Sequence, residues 1–336
     1  MPPERKIRVA LDAMGGDRGP EVTVEGAVSA ARELGSTVIL VGDEQVLRTH
    51  LARHEVGGLD LTVRHAPESV DMGESPMAAL RKKKHSSIRI GLDLVKRGEA
   101  EAFVSAGNTG AVMATAVVVL GPLPGVERPA IAVVVPTLTH QAVLLDVGAN
   151  VDCKARHLLQ FAIMGNVYAR DILGQTQPRV GLLSIGEEEI KGNELTREAF
   201  KEMEEEASLN FIGNVEGRDV FNGAADVIVC DGFTGNVALK ISEGLVETIF
   251  HLLREELKKD LRGRVGSLLL IPAFRRFKRR IDSSEFGGAP LLGVNGVCMI
   301  SHGRSTGKAI RNAIRAAEGC VNNAVIAHIR EGIGRG

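Results

Sequence analysis

The sequence predicts a Rossmann-like α/β fold, with helices layered on both faces of a mostly parallel sheet. Short β-branched runs alternate with longer helical patterns along the chain, and this order is typical of parallel sheets covered by helices. Several of the runs are apolar almost without alternation, as expected for strands buried on both faces. The chain also holds 39 glycines among its 336 residues, above the usual share of ~7%. They cluster where the predicted strands end.

The predicted strands follow one another along the whole chain. Four strands that are each followed by a helical pattern come first, at 7–12, 37–42, 61–65 and 101–106. Two strands joined by a short connection come next, at 130–136 and 142–148. Four more complete the set, at 179–186, 209–214, 225–232 and 297–303. We find no linker, low-complexity segment or internal repeat, so we predict a single α/β domain over residues 1–336.

Composition argues against several classes of function. The formal net charge is −1, with one Tyr and no Trp, so neither a global field nor many stacking platforms favour nucleic acid as a partner. The four cysteines and nine histidines show no metal-ligand spacing, and we predict no metal site. The N-terminus lacks the apolar region of a signal peptide. The uncharged stretch 110–126 is short for a membrane span and contains two prolines, so we interpret it as a buried helix in a cytoplasmic protein.

The loops that follow the predicted strands share one chemistry, because they combine Gly with Asn, Thr or Ser just before a helix. Six of them have this character, at 12–20, 105–111, 146–150, 186–194, 230–236 and 301–308. Backbone N–H groups in such loops, with the positive end of the following helix dipole, suit a phosphate or a developing oxyanion. Each loop alone is equally typical of turns and N-caps. We expect all six at one edge of the sheet, where they would form a site. None matches a dinucleotide or P-loop motif, and we predict no cofactor.

Charged and nucleophilic candidates lie in or near these loops. Lys191 could offset phosphate charge or lie solvated, and His302 could carry a proton or cap its turn. The basic run 81–87 is typical of a solvated helix face and could also attract an acidic partner. Cys230 follows an apolar run, which favours a core thiol over a nucleophile.

The segment 264–281 differs from its surroundings and predicts an amphipathic helix. Leu270, Phe274 and Phe277 fall on one helical face, and arginines and lysines fill the others, as in helices that lie in a membrane interface. A helix packed in the core or across a dimer interface is the alternative. The residues predicted to contact an anionic membrane surface are Leu268, Leu269, Leu270, Ile271, Phe274, Phe277, Lys278 and Arg279.

Seven long motifs follow one another along the chain: VALDAMGGDRGP, FVSAGNTGA, LLDVGANVD, GEEEIKGNELT, FIGNVEGRD, VIVCDGFTGNVALK and EFGGAPLLG. Together they resemble the phosphate acyltransferase family of bacterial phospholipid synthesis, and the resemblance runs from about residue 7 to about 328. It implies transfer of a fatty acyl group from acyl carrier protein to inorganic phosphate. It also implies a homodimer, a fold similar to phosphotransacetylases and isocitrate dehydrogenases, and delivery of acyl phosphate to a membrane glycerol-3-phosphate acyltransferase. We therefore expect a cytoplasmic enzyme that associates with the inner face of the membrane.

A thioester donor is already activated, so this reaction needs positioning and oxyanion stabilisation more than a covalent nucleophile. The residues to which we assign the chemistry are Lys191, Asn193, Asn236 and His302, with His302 protonating the departing thiolate. The residues to which we assign substrate and phosphate binding are Gly107, Asn108, Thr109, Gly110, Asn150, Asp231, Thr234, Gly235 and Ser305. Three alternatives stay open: a phosphotransacetylase acting on acyl-CoA, a metal-dependent dehydrogenase of the same broad fold, and a non-catalytic scaffold of lipid synthesis.

Overall fold

The computed structural model describes residues 6–259, 266, 269–274, 276–277 and 287–334. Within them, eleven strands form one sheet in the order β3-β2-β1-β4-β11-β10-β5-β6-β9-β7-β8. The strands are β1 Arg8–Asp12, β2 Thr37–Gly42, β3 Leu61–His65, β4 Ala102–Ser105, β5 Ala130–Pro136, β6 Gln141–Leu145, β7 Arg179–Leu183, β8 Asn210–Val215, β9 Val227–Val229, β10 Ala289–Leu292 and β11 Val297–Ile300.

Helices fill most of the connections between these strands. They are α1 Pro20–Leu34, α2 Glu44–Leu51, α3 Pro76–Lys82, α4 Ser87–Lys96, α5 Thr109–Val119, α6 Ala155–Leu173, α7 Glu194–Glu205, α8 Asp219–Asn222, α9 Gly232–Lys258, α10 Gly307–Asn322 and α11 Val325–Ile333. Helices α1, α6 and α10 contribute to one hydrophobic core, and α4 and α5 contribute to a second. The predicted layers of helices and a mostly parallel sheet are confirmed.

The strand directions divide the sheet into two halves. Strands β1, β2, β3, β4 and β11 are mutually parallel, and so are β6, β7, β8 and β9. Between the halves, the pairs β11–β10, β10–β5 and β5–β6 are all antiparallel. Three reversals leave the two halves running in opposite directions. The expectation that all six loops follow strand ends at one edge is therefore wrong.

Strand β10 is the element that the sequence pattern did not predict. It is four residues long and contains Pro290, a residue that is disfavoured in central strands. The uncharged stretch 110–126 is also only partly the buried helix that we expected. Helix α5 ends at Val119, and Val118 is exposed.

Three of the four cysteines behave as core thiols, and Cys153 is half-buried. Cys230, Cys298 and Cys320 are buried, and burial raises the pKa of the Cys298 and Cys320 thiols to about 12. Burial also raises the pKa of Cys230 well above its usual value. Because a nucleophilic cysteine requires a thiolate, these positions favour the packing role that we preferred for Cys230.

Helix α9 extends away from the body of the protein. Only Gly232 and Gly235 of its 27 residues are buried, and at 1.5 Å per residue the helix is about 40 Å long. Of the predicted membrane segment, residues 269–274 and 276–277 are helical, and the Phe277 ring contacts the Phe250 ring of α9 at 5.8 Å between centroids. Leu268, Lys278 and Arg279 lie outside the described residues. Within the described part of the chain, no helix combines the length and apolar character needed to cross a bilayer.

Candidate functional site

The loops after β1, β4 and β11 meet around a buried carboxyl group, and we call them the first loop group (12–20, 105–111 and 301–308). Asp12 ends β1, accepts a hydrogen bond from the Ser105 hydroxyl at 2.7 Å and is fully buried. Ser105 Oγ in turn accepts the Gly107 N–H at 3.0 Å. Burial raises the pKa of the Asp12 carboxyl above its usual value. A Cβ on Gly15 would lie 2.5 Å from Asp12 Oδ2, so only glycine fits there.

Asn108 lies in this group, but its side chain is already engaged. Its Oδ1 caps α5 by accepting the Ala111 N–H at 3.0 Å. Its Nδ2 donates to the carbonyl oxygens of Met72 and Glu74, both at 2.9 Å. The Asn108 side chain therefore holds residues 72–74, just before α3, against the 105–111 loop. This arrangement favours a positioning role over the direct phosphate contact that we predicted.

The remaining predicted residues of the first loop group differ in their exposure and in their hydrogen bonds. Thr109 is exposed at the start of α5, and the N–H groups of Thr109 and Gly110 fall among the first donors of that helix, which have no intrahelical acceptor. Ser305 is buried, and its hydroxyl lies 2.8 Å from that of Ser301. His302 is exposed, and its Nδ1 accepts the Arg304 N–H at 3.1 Å. Since Nδ1 is an acceptor, the proton of neutral His302 lies on Nε2.

The loops after β6, β7 and β9 form the second loop group (146–150, 186–194 and 230–236), since these three strands are neighbours in the sheet. Asp146 is fully buried and accepts hydrogen bonds from the backbone N–H groups of Ile131, Ala149 and Asn150. It also accepts the Asn150 side-chain amide at 2.9 Å. Burial raises the pKa of the Asp146 carboxyl above its usual value. Asp146 and Asn150 thus hold the 146–150 loop in its conformation. The Asn150 side-chain amide is engaged by the Asp146 carboxylate and the Pro129 carbonyl.

The start of α9 packs directly on this loop. The Gly232 N–H donates to the Asn150 carbonyl at 2.7 Å. Asp231 caps the helix, accepting the Thr234 N–H at 2.9 Å and the Thr234 hydroxyl at 2.7 Å. The Asp231 carboxylate and the Thr234 hydroxyl are therefore hydrogen-bonded to each other. A Cβ on Gly235 would overlap the Asp146 carbonyl oxygen, so Gly235 is needed for the close approach of helix and loop.

Asn236 and Lys191 are the predicted residues of the second loop group with free side chains. Asn236 is exposed and lies 3.6 Å from the position that a Cβ on Gly148 would take. Lys191 is exposed and forms no ion pair with a described residue. Asn193 caps α7, with its Oδ1 accepting the Thr196 N–H at 2.9 Å. Counting partners among the described residues alone, the second loop group thus places one unpaired amide and one unpaired cation near the amino ends of α7 and α9, an arrangement suited to an anion.

Sequence reasoning did not identify Asp12 and Asp146 as site residues. Both stand in the pattern Leu–Asp at the end of a buried strand, followed by a glycine-containing loop. A carboxylate at that position can accept the backbone N–H groups of the loop. That pattern was visible in the sequence and could have predicted their positioning role. Among the described residues, no group of three or more His, Cys, Asp and Glu side chains could hold a metal ion.

Comparison with known proteins places this chain among fatty acid synthesis proteins. Residues 7–328 match the family model described as "Fatty acid synthesis protein". "Phosphate acyltransferase" of Geobacter sulfurreducens is 56% identical over 325 residues, which are 97% of this chain and 94% of that protein. The protein of the same name from Pelotomaculum thermopropionicum is 53% identical over 327 residues, or 97% of this chain and 95% of that protein.

Solved structures share the fold at much lower identity. A phosphotransacetylase from Streptococcus pyogenes gives a TM-score of 0.61 at 20% identity, covering 94% of both chains. EutD phosphotransacetylase from Staphylococcus aureus gives 0.58 at 17% identity, again over 94% of both chains. 4-Hydroxythreonine-4-phosphate dehydrogenase from Klebsiella pneumoniae gives 0.51 at 15% identity, over 94% of this chain and all of the other. At this identity the likeness concerns the fold alone.

Proposed function

The chain belongs to the fatty acid synthesis protein family and is an acyltransferase with phosphate as acceptor, and from that premise we propose that its donor is long-chain acyl-acyl carrier protein and its product acyl phosphate. One observation carries the proposal: the free donors of the second loop group lie beside exposed apolar side chains. Phe233 is 62% exposed, Ile185 81% and Ile190 77%. Isolated exposed apolar residues are ordinary, but three of them in or next to the loops that carry Lys191 and Asn236 suit an acyl chain with a charged head.

The proposed reaction joins a phosphate oxygen to the thioester carbonyl carbon and breaks the C–S bond. Lys191 holds phosphate, with the positive end of the α9 dipole nearby, while Asn236 donates to the tetrahedral oxyanion. The departing thiolate takes a proton, which we assign to His302. His302 lies in the first loop group, and the departing sulfur is bonded to the carbonyl carbon that Asn236 serves, so this assignment requires His302 and Asn236 to reach the same thioester. Asn108, Asn150, Asn193, Asp231 and Thr234 would act by shaping the loops, and Gly107, Gly110 and Gly235 by allowing close backbone approach.

The activity test is release of free carrier protein by the purified enzyme. With a long-chain acyl carrier protein thioester, release should require inorganic phosphate and should yield acyl phosphate in equal amount. Release at the same rate without phosphate would indicate a hydrolase. Phosphate-dependent turnover of acyl-CoA in preference to the carrier would instead support a phosphotransacetylase.

We also propose that the enzyme is a homodimer and that α9 forms its interface. A stripe of apolar side chains runs along α9 and is exposed in the single chain: Phe233, Val237, Ile241, Leu245, Ile249, Leu252 and Leu253. From Ile241 onward their spacing of three or four residues is that of a helix that packs against another helix. A helix without tertiary packing is marginal in water, and beyond Gly235 α9 has no buried residue. A second copy of the stripe would cover this one.

The dimer proposal predicts a change of mass. Leu245→Asp with Ile249→Asp should convert a dimer to a monomer, because each carboxylate would be buried against apolar side chains. Analytical ultracentrifugation measures the outcome, and Glu247→Gln, an exposed position on the same helix, is the matched control. A double variant that stays dimeric would place the interface elsewhere.

For the segment after α9 we propose peripheral contact with the inner face of the cell membrane, where a membrane glycerol-3-phosphate acyltransferase would take the product. Leu269, Leu270 and Ile271 are exposed, as are Phe277 and Arg276, while Phe274 is half-buried. Such helices bind anionic surfaces through buried apolar area and about 1 kcal/mol per cation.

Leu269→Asp with Phe277→Asp should therefore abolish flotation with anionic vesicles and leave turnover in solution unchanged. Binding of the wild type should weaken as salt rises, since the Debye length shortens. Leu34→Asp with Val46→Asp, at two exposed apolar positions outside this segment and outside α9, controls for a general loss of surface hydrophobicity. If the wild type ignores anionic vesicles, the membrane proposal is wrong.

A further inference from the structure

We propose that the end of α3 is the docking surface for an acidic protein, namely the carrier that delivers the acyl group; this inference rests on the proposed function. The surface, which we call the basic face, consists of Arg81, Lys82, Lys84 and His85, all exposed. Within the described part of the chain, Arg81, Lys82 and Lys84 have no ion-pair partner. The whole chain carries a formal charge of −1, so this concentration of cations is local.

The one lysine of the run with an acidic partner shows how the segment is held. Lys83 Nζ lies 2.6 Å from Glu74 Oε2 and donates to the Ser69 carbonyl at 2.7 Å. The Lys83–Glu74 pair neutralises Glu74, and a second acid, Glu68, accepts the His85 backbone N–H at 2.8 Å. The other cations of the run point into solvent and remain available to a partner.

The basic face is joined to the first loop group by direct contacts. Asn108 donates to the Met72 and Glu74 carbonyls, which fixes the chain just before α3. A Cβ on Gly110 would lie 2.6 Å from Pro76 Cγ, at the first residue of α3. Docking at the basic face would therefore bring a carrier next to the loop that begins α5.

Contacts also extend from this segment to Gly303, the residue after His302. The Met72 methyl group lies 2.6 Å from where a Cβ on Gly303 would stand. Met72 and Met77 are exposed, at 41% and 51%, and Arg304 adds another exposed cation on the same loop. Exposed methionines near exposed cations suit a partner helix that carries both apolar and acidic side chains. A thiolate leaving beside His302 would depart on the side where its carrier is bound.

Charge reversal tests the inference with two donors. Lys82→Glu with Lys84→Glu should raise KM for long-chain acyl carrier protein about 10-fold or more, because complementary charges speed association by about 10- to 1,000-fold at low salt. The same variant should keep its wild-type rate with acyl-pantetheine, a small thioester that has no protein surface. Lys82→Arg with Lys84→Arg keeps the charge and should behave as wild type. Arg53→Glu with Lys201→Glu makes the same change of charge at two exposed positions outside the basic face, and it is the control for the change in net charge.

The outcomes separate the docking surface from the reaction. Wild-type enzyme that turns over neither donor with phosphate would refute the proposed function. Equal KM values for the carrier in the wild type and the Lys82→Glu/Lys84→Glu variant would overturn the docking surface while the reaction stands. Loss of binding to anionic vesicles with unchanged carrier KM would assign the basic face to lipid and also overturn the proposal.

Discussion

Replacing Lys191 or Asn236 with alanine should lower turnover by about 100-fold in a folded protein, the scale expected when one oxyanion donor is lost. Both side chains are exposed at the second loop group, and neither donates a hydrogen bond within the described residues. Their removal should therefore leave thermal unfolding unchanged. Lys191→Ala should raise the phosphate KM, because phosphate, the proposed partner of Lys191, is already bound in the ground state. Asn236→Ala should lower kcat, because the oxyanion exists only in the transition state.

Steady-state kinetics with phosphate and donor varied in turn distinguish these two effects. Lys201→Ala, an exposed lysine on the same helix that Asn193 caps, should change neither constant. Near-normal kinetics for both Lys191→Ala and Asn236→Ala would show that the second loop group does not hold the reacting atoms. The same assay on His302→Ala locates the acid, since loss of a thiolate proton donor lowers kcat and spares the phosphate KM.

The strands were predictable because short β-branched and apolar runs, bounded by turn residues, leave a direct mark on the sequence. Residues 37–42, 61–65 and 130–136 were predicted as strands with the bounds that the structure shows. The directions of the strands were not predictable in this way. A run of apolar residues has the same pattern whichever way the strand runs, and the reversal depends on β10, whose four residues include a proline.

The loops of the site were predictable, but the division of labour within them was not. Composition marks a Gly–Asn–Thr loop before a helix, and Asn108, Asn193 and Asp231 do lie at such helix starts. Whether an Asn faces a ligand or caps a helix depends on one rotamer, which sequence does not reveal. Asn108 illustrates the difference, because its amide contacts a segment 34 to 36 residues away in the chain.

The largest effect on the site should come from Gly235→Ala. The added methyl group would overlap the Asp146 carbonyl oxygen and would lie 2.8 Å from Cys230 Sγ. Backbone cannot move aside cheaply, so the start of α9 would be forced away from the 146–150 loop. Overpacking of this kind costs about 1–3 kcal/mol. We expect a lower midpoint of thermal unfolding and loss of phosphate-dependent turnover, because Asn236 would move with the helix.

Gly244→Ala provides the matched control on the same helix. A Cβ at Gly244 would meet no atom of the described residues within 4 Å, and alanine favours a helix over glycine by about 1 kcal/mol. Gly244→Ala should therefore unfold at the same or a higher temperature and keep its activity. Both substitutions raise helix propensity, but only the methyl group of Gly235→Ala overlaps a backbone atom. The comparison therefore separates the effect of packing from that of helix propensity. If Gly235→Ala is as stable and active as Gly244→Ala, the contact between Gly235 and Asp146 does not order the second loop group.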